Sequence, residues 1–254
     1  MGFTLFLLAH PDDDIMVRPL ISRAQASGGA LVAYITRAAG EQATRREKEA
    51  REALSRVGVN EQAITFLGNE IGVVDGDACS CLPELYEALT KSFGLSNPLK
   101  SIVTHAWEGG HPDHDAAHAL ALRFARERDL AAASVSVAYY RASASGFPPF
   151  VVQYPTPGAA GFRRLPISMG EAWAMTLAVR HYPSQWRSFV GLSPWLAVRA
   201  AFDRSLWVQP LTASVAPARP HHAPLLSETR FATPFEFVSL AASSLLGGAA
   251  KSGR

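Results

Sequence analysis

The chain has 254 residues, 48% hydrophobic and 18% charged, with a formal net charge of +2. That length suits one α/β domain or one domain with a modest addition, and such an apolar share can bury a sizeable core and argues against disorder. The arginines are scattered and no basic run is built to track a phosphate backbone, so nucleic acid is not an expected partner.

Residues 3–9 form an apolar run that could pass for the core of a secretory leader. The run lacks a basic start, has no small-residue cleavage site and meets Asp12, Asp13 and Asp14 at once, so it reads as a first strand. A helix is expected over 17–27, closed by Gly28-Gly29, then a strand over 30–36 and a charged amphipathic helix over 41–57, ended by Gly58. Further strands are expected over 63–67, 101–104 and 134–140, with helices over 83–93 and 113–127. Strand and helix alternating at this spacing predict a Rossmann-like α/β fold, a mostly parallel sheet with helices on both faces. The strands are continuous apolar runs, as burial on both faces requires.

Cys79 and Cys81 lie one residue apart, poor spacing for a zinc knuckle or a redox pair, and read as loop or helix-start thiols. So few cysteines fit a reducing compartment, and a cytoplasmic location is expected.

Beyond Tyr140 the pattern changes. Residues 143–166 are rich in Gly, Pro and Ser and predict loops with a short hairpin. A helix is expected over 171–181, whereas 205–226 carries several prolines and little periodicity. Residues 235–246 are apolar but too short to span a membrane, and read as a core-packing helix or, alternatively, an interfacial one. No stretch approaches the ~18–20 uninterrupted apolar residues of a transmembrane helix. Residues 247–254 read as a frayed tail. The whole is expected to be one domain over 1–254, with a core over about 1–142 and a loop-rich C-terminal elaboration or cap over about 143–246.

In open α/β sheets ligands bind at the carboxyl ends of the strands. Two polar clusters sit there: Ala9-His10-Pro11-Asp12-Asp13-Asp14 after the first strand, and residues 105–114, His-Ala-Trp-Glu-Gly-Gly-His-Pro-Asp-His, after the 101–104 strand. A catalytic zinc takes three His or carboxylate ligands and keeps a position for water. His10 and Asp13 can turn inward on one tight turn and His114 can supply a third bond, leaving Asp12, His111 and Asp113 beside the ion for acid/base work. Alone, a His-Pro pair is a turn and three aspartates are a solvated face or a helix cap; two such clusters at two strand ends are a site. His105 is a candidate for the site lining, His118 shares a helix face with His114, and His181, His221 and His222 have no nameable partner.

At these residues the chain resembles the PIG-L/LmbE-like family of zinc-dependent de-N-acetylases. The first family signature, Ala-His-Pro-Asp-Asp-Glu, is present with Asp14 in place of Glu, and the second is intact as His111-Pro112-Asp113-His114, preceded by Glu108-Gly109-Gly110. Arg46 and Glu49 match an Arg-x-x-Glu helix, Gly40-Glu41 a Gly-Glu turn, and residues 181–186 a late Ser-Gln element. The resemblance covers residues 3–125 well. It implies one zinc ion per chain held by His10, Asp13 and His114, Asp12 as general base and His111 as general acid. Asp113 is expected to orient His111 or His114, and Arg46, with Glu49 and His105, to bind substrate. The chain departs from the family at Met16-Val17-Arg18-Pro19, where a Gly-Gly is usual. After Leu67-Gly68 an expected acid has no clean match, with Glu70 and Asp75 as candidates. At Gly109-Gly110 some members carry a carbonyl-polarising tyrosine.

The reading is a zinc-dependent hydrolase that removes an N-acyl, first of all N-acetyl, group from an amino sugar or conjugate, with a nucleotide-sugar or glycolipid precursor among the substrates. Two other classes use the same ligands. Two histidines and a carboxylate also form the Fe(II) triad of non-haem oxygenases, with Fe2+ as the alternative ion. A non-catalytic metal- or sugar-binding module needs neither Asp12 nor His111.

Overall fold

A computed structural model describes residues 2–94, 98–143, 150–156, 159–221 and 225–247. The first half is a run of β-α units: β1 (Phe3–Leu8), α1 (Asp14–Ala26), β2 (Ala30–Tyr34), α2 (Gln42–Ser55), β3 (Ile64–Phe66), α3 (Leu67–Ile71), α4 (Leu82–Ser92), β4 (Leu99–His105), α5 (Pro112–Glu127) and β5 (Val135–Val137). The second half adds β6 (Tyr140–Ala142), β7 (Phe150–Val152), β8 (Arg163–Pro166), α6 (Met169–Ala178), α7 (Trp186–Phe202), β9 (Ser205–Pro210), α8 (Leu226–Thr229) and α9 (Phe235–Gly247).

The main sheet has the order β3-β2-β1-β4-β5-β9-β8. Its first five strands are parallel, β9 pairs antiparallel with β5, and β8 pairs antiparallel with β9 at the edge. The α/β expectation is met. Side chains alternate across each strand, so Phe6, Leu8, Val32 and Tyr34 enter one core and Leu5, Leu7, Ala33 and Ile35 the other. The first core is closed by α1, α2, α6 and α7, the second by α4, α5 and α9. Chain order reverses between β1 and β4, and a crevice opens outside their carboxyl ends, as at the switch point of any such sheet.

Three elements differ from expectation. The fifth strand stops at Val137 because the Tyr139 N–H goes to the Glu108 carboxylate (2.8 Å) instead of a ladder carbonyl. The chain then turns into a β6-β7 hairpin. Helix α7 went unread: apolar residues ring it, and Gly191 and Pro194 lie inside it. Strand β9 lay hidden at the start of a proline-rich stretch. Helix α9 packs on α5 and α4 through Phe235, Val238, Ala242 and Leu245, the core-packing alternative. Of the expected tail, 248–254 lie outside the described residues. No described helix is long and apolar enough to cross a membrane.

Candidate metal centre and active site

Two loops build the site. After β1, the N–H groups of Asp12 and Asp13 both donate to the His10 carbonyl (2.8 and 3.1 Å), and the His10 N–H donates to Asp13 Oδ2 (2.7 Å). This turn brings His10, Asp12 and Asp13 to the crevice before α1 begins at Asp14. After β4, Asp115 Oδ1 accepts from the N–H groups of Glu108 and Gly109 (3.1 and 3.4 Å) and shapes the loop into α5. His111 caps α5, its Nδ1 accepting from the Asp113 N–H (3.2 Å). The two loops are joined where the Ala9 N–H donates to His105 Nε2 (3.0 Å).

His10, Asp13 and His114 offer ligand atoms that lie within 4.8 Å of one another, all on buried residues. His114 Nε2 is buried without a hydrogen-bond partner and lies 3.3 Å from Asp13 Oδ1, while His10 Nδ1 lies 3.3 Å from Asp13 Oδ2. An orphaned buried imidazole nitrogen facing a carboxylate fits a divalent ion, and the donor set suits zinc or Fe(II). Burial lowers the His10 pKa, but the Asp113 and Asp13 carboxylates outweigh it and hold His10 well above the ordinary histidine value. The pocket thus favours positive charge. Asp13, opposed by burial but faced by His114, His105 and His10, is held well below the usual carboxylate range.

His10 Nε2 bonds to Asp113 Oδ2 (3.0 Å), which leaves Nδ1 as the ligand nitrogen. Asp113 also accepts from the N–H groups of Gly76 (2.6 Å) and Ala78 (3.2 Å). His10, His111 and Asp113 form a second cluster of metal-ligand types. With Asp113 so fully bonded, the first set is the better ligand group. The expected orienting partner of Asp113 is corrected: it is His10, because the His111 ring faces the Asp113 backbone instead.

Asp12 lies beside the ligands. Burial raises its pKa, against the pull of the Arg46 guanidinium. Arg46 lines the crevice, where one terminal nitrogen donates to Asp12 Oδ1 (3.1 Å) and the other to Asp75 Oδ2. It thereby positions Asp12. Asp75, which also accepts from Thr36 Oγ1 (2.8 Å), is the acid sought after Leu67-Gly68, while Glu70 is exposed. Glu49 does not line the crevice: it accepts from the Ser184 N–H (3.1 Å) and hydroxyl, so the Arg-x-x-Glu helix clamps the late Ser-Gln element. His105 is fully buried and stacked behind His114, ring centroids 3.9 Å apart, out of reach of a substrate. His118 bonds to the His105 carbonyl and to Ser214 Oγ (both 2.7 Å) and is no ligand. Asp14 accepts from Tyr34 (3.0 Å) and Tyr182 in the core, where burial lifts it to about 6.

The crevice encloses about 280 Å3, the small end of the range for small-molecule sites. Its walls include Gln185 of the late Ser-Gln element and four residues that no sequence pattern singled out: Tyr139, Tyr140, Arg187 and Phe231. Tyr139 donates to the Asp13 carbonyl (3.0 Å). The Tyr140 ring lies 5.1 Å from that of His114, and among the described residues its hydroxyl has no hydrogen-bond partner. Gly110 makes this approach possible, since a Cβ there would sit 2.5 Å from the Tyr140 carbonyl oxygen. Gly109, at φ +63, is equally closed to a side chain, because a Cβ would meet Leu225 at 2.7 Å. A tyrosine cannot occupy this loop, and Tyr140 enters the crevice from the neighbouring strand.

Residues 5–125 match the family model described as GlcNAc-PI de-N-acetylase, PIG-L. No curated protein matches the chain. Among solved structures, a triple-mutant deacetylase of the teicoplanin biosynthetic pathway aligns with a TM-score of 0.61 and 18% identity, over 82% of this chain and 97% of its own. The A40926 pseudoaglycone deacetylase Dbv21 aligns at 0.59 and 17%, over 82% and 96%. The N,N'-diacetylchitobiose deacetylase of Pyrococcus horikoshii aligns at 0.52 and 15%, over 85% and 87%. At these identities the structural likeness speaks for the fold, and the signatures within the matched segment speak for the family. Residues 5–125, which carry both signatures, are similar to the PIG-L/LmbE-like family.

Proposed function

We propose that the chain is a metal-dependent amide hydrolase that removes an N-acyl group, first of all N-acetyl, from an amino sugar or sugar conjugate. The observation that carries this reading is the convergence of the His10, Asp13 and His114 ligand set with a separate carboxylate, Asp12, in one crevice. The family is named for GlcNAc-PI de-N-acetylation, and similar folds belong to proteins named as deacetylases of a glycopeptide pathway and of diacetylchitobiose. The donor set supports zinc, one ion per chain, with Fe(II) as the alternative.

A divalent ion held by His10, Asp13 and His114 would supply a Lewis acid and would lower the pKa of a water towards ~7. Asp12 takes a proton from the attacking water as its oxygen bonds to the acyl carbon, and burial makes Asp12 a stronger base than an exposed aspartate. Negative charge grows on the carbonyl oxygen. The Tyr140 hydroxyl and His111 Nε2–H are the donors available to it on the crevice wall. Expulsion of the amine needs a proton on nitrogen. The His111 Nδ1 accepts from a backbone N–H, and burial holds His111 well below the ordinary histidine pKa. A neutral imidazole has no second proton to give, so Asp12 returns its proton to the nitrogen as the C–N bond breaks. His111 then acts as a hydrogen-bond donor in place of the general acid that the resemblance implies.

The test is an amine-release screen with N-acetylated sugars, nucleotide-sugars and glycolipid analogues, with and without a chelator. Amine release that stops on chelation and returns with zinc is expected. Release insensitive to the chelator, or none from any substrate, overturns the reading.

A further inference from the structure

Helix α7 turns an apolar face to solvent. At 3.6 residues per turn, Trp186, Val190, Pro194, Val198, Ala201 and Phe202 fall within one arc of about 160°. Trp186, Val190, Val198 and Phe202 are 59%, 66%, 48% and 86% exposed. Phe189, Leu196, Arg199 and Ala200 occupy the opposite, buried side. A helix that meets only water carries polar residues on that arc, and a contiguous apolar patch marks a contact surface.

Exposed arginines flank this face along the chain: Arg180 ahead of α7, Arg187 within the arc and Arg204 just after the helix. The Arg187 guanidinium lies 5.5 Å from the centroid of the Trp186 ring. The nearby acids are engaged elsewhere, Glu171 by Arg23 and Asp203 by Arg164 and Arg199. A second copy seated on the face by two-fold symmetry would set these arginines against their own kind with no acid to neutralise them. Tryptophan, phenylalanine and arginine on one helix face suit the boundary between acyl chains and anionic headgroups.

We propose that the exposed face of α7 seats the protein on an anionic lipid surface. The C-terminal end of the face runs into an apolar groove of about 210 Å3, walled by Val152, Tyr154, Trp195 and Phe202, which offers room for an acyl chain. Gln185, Arg187 and Gly191, at the start of the same helix, also wall the crevice. Docking through α7 therefore places the crevice mouth at the lipid boundary.

The test is flotation of the full chain with vesicles of phosphatidylcholine alone and with added phosphatidylglycerol, alongside light scattering without lipid. Binding to the anionic vesicles is expected, weaker on neutral ones by on the order of 10²-fold, since each of the three arginines contributes roughly fivefold near a charged surface. Val198→Glu with Phe202→Glu lies on exposed positions and leaves the melting temperature in place while binding falls at least ~10-fold. Absence of vesicle binding overturns the proposal, as does binding that the double variant leaves unchanged. A wild-type dimer that the double variant disperses also overturns it and makes the face a self-interface.

Discussion

The segment up to Glu127 and the segment from Tyr139 onward meet at one crevice and contribute different things to it. From the first come every proposed ligand atom, the proposed base Asp12 and the acids that hold them, Asp75 and Asp113. From the second come Tyr139, Tyr140, Gln185, Arg187 and Phe231, a wall of aromatic, amide and cationic groups. The chemistry is set by two short loops at adjacent strand ends, where backbone geometry leaves little freedom. The rest of the wall belongs to a region held by long-range contacts, such as Glu49 to Ser184 and Asp14 to Tyr182. The expected division at about residue 142 is not a division of the sheet, because β9 and β8 extend it.

If that contrast is right, the largest losses come from the first segment. His114→Ala should remove nearly all bound metal, by elemental analysis, and take amine release to background. Full metal content in that variant breaks the ligand assignment. Asp12→Asn should keep its metal and lose at least ~10² in kcat, the scale of a positioned proton-transfer group. Turnover at the wild-type rate removes Asp12 as the base.

Arg46→Ala comes next. Arg46 holds Asp12 and pulls its pKa down against burial. Without it, kcat/KM should fall by about 10-fold, on the order of 1.4 kcal/mol. The acid limb of the pH–rate profile should also move up, because Asp12 must lose its proton to act. A fall in rate with an unmoved acid limb would return Arg46 to the substrate-binding role expected from its position in the sequence.

The convergence of the proposed ligands and base was legible because each signature is local: a strand, a tight turn and a helix start fix His10, Asp12, Asp13, His111 and His114 within a few residues. Arg46, Glu49 and His105 were found as residues of interest, but what they touch depends on elements up to 135 residues away, as Glu49 and Ser184 show. Tyr140 carried no signal, since it follows a strand as an ordinary tyrosine and reaches the crevice only because Gly110 lets the chains close. Helix α7 gave none either. Its exposed side is as apolar as its buried side, so the periodicity that marks a surface helix is missing.

A smaller effect should come from the clamp between the segments. Ser184→Ala removes the hydroxyl bond to Glu49 but keeps the backbone one, so KM should rise about 3-fold with kcat kept, part of the worth of one hydrogen bond to a charged group. An equal fall in kcat would show that the C-terminal segment shapes the reacting groups as well as the wall.

The last effect is on stability, at the joint where the segments meet. Glu108, 3% exposed, accepts the Tyr139 N–H, and burial pushes its pKa up to about 8. In the unfolded chain a glutamate titrates at about 4.3. Between those values the folded protein keeps a proton that the unfolded chain has released, so stability falls as pH rises through the window, by up to ~1.4 kcal/mol per pH unit. Glu108→Gln keeps an acceptor for Tyr139 but does not titrate. Asp115, raised by burial to about 7, titrates in both proteins, and its charge adds to the upward push on Glu108, so the difference between the two proteins includes that interaction. The melting temperature of the wild type should therefore drop more steeply than that of Glu108→Gln between about pH 5 and 8, and the variant should be the more stable at the upper end. Parallel curves would mean that Glu108 carries no extra proton in the folded state. The joint would then be held by an ionised carboxylate, and rising pH would not loosen the tie between the loop that carries His111 and the strand that carries Tyr140.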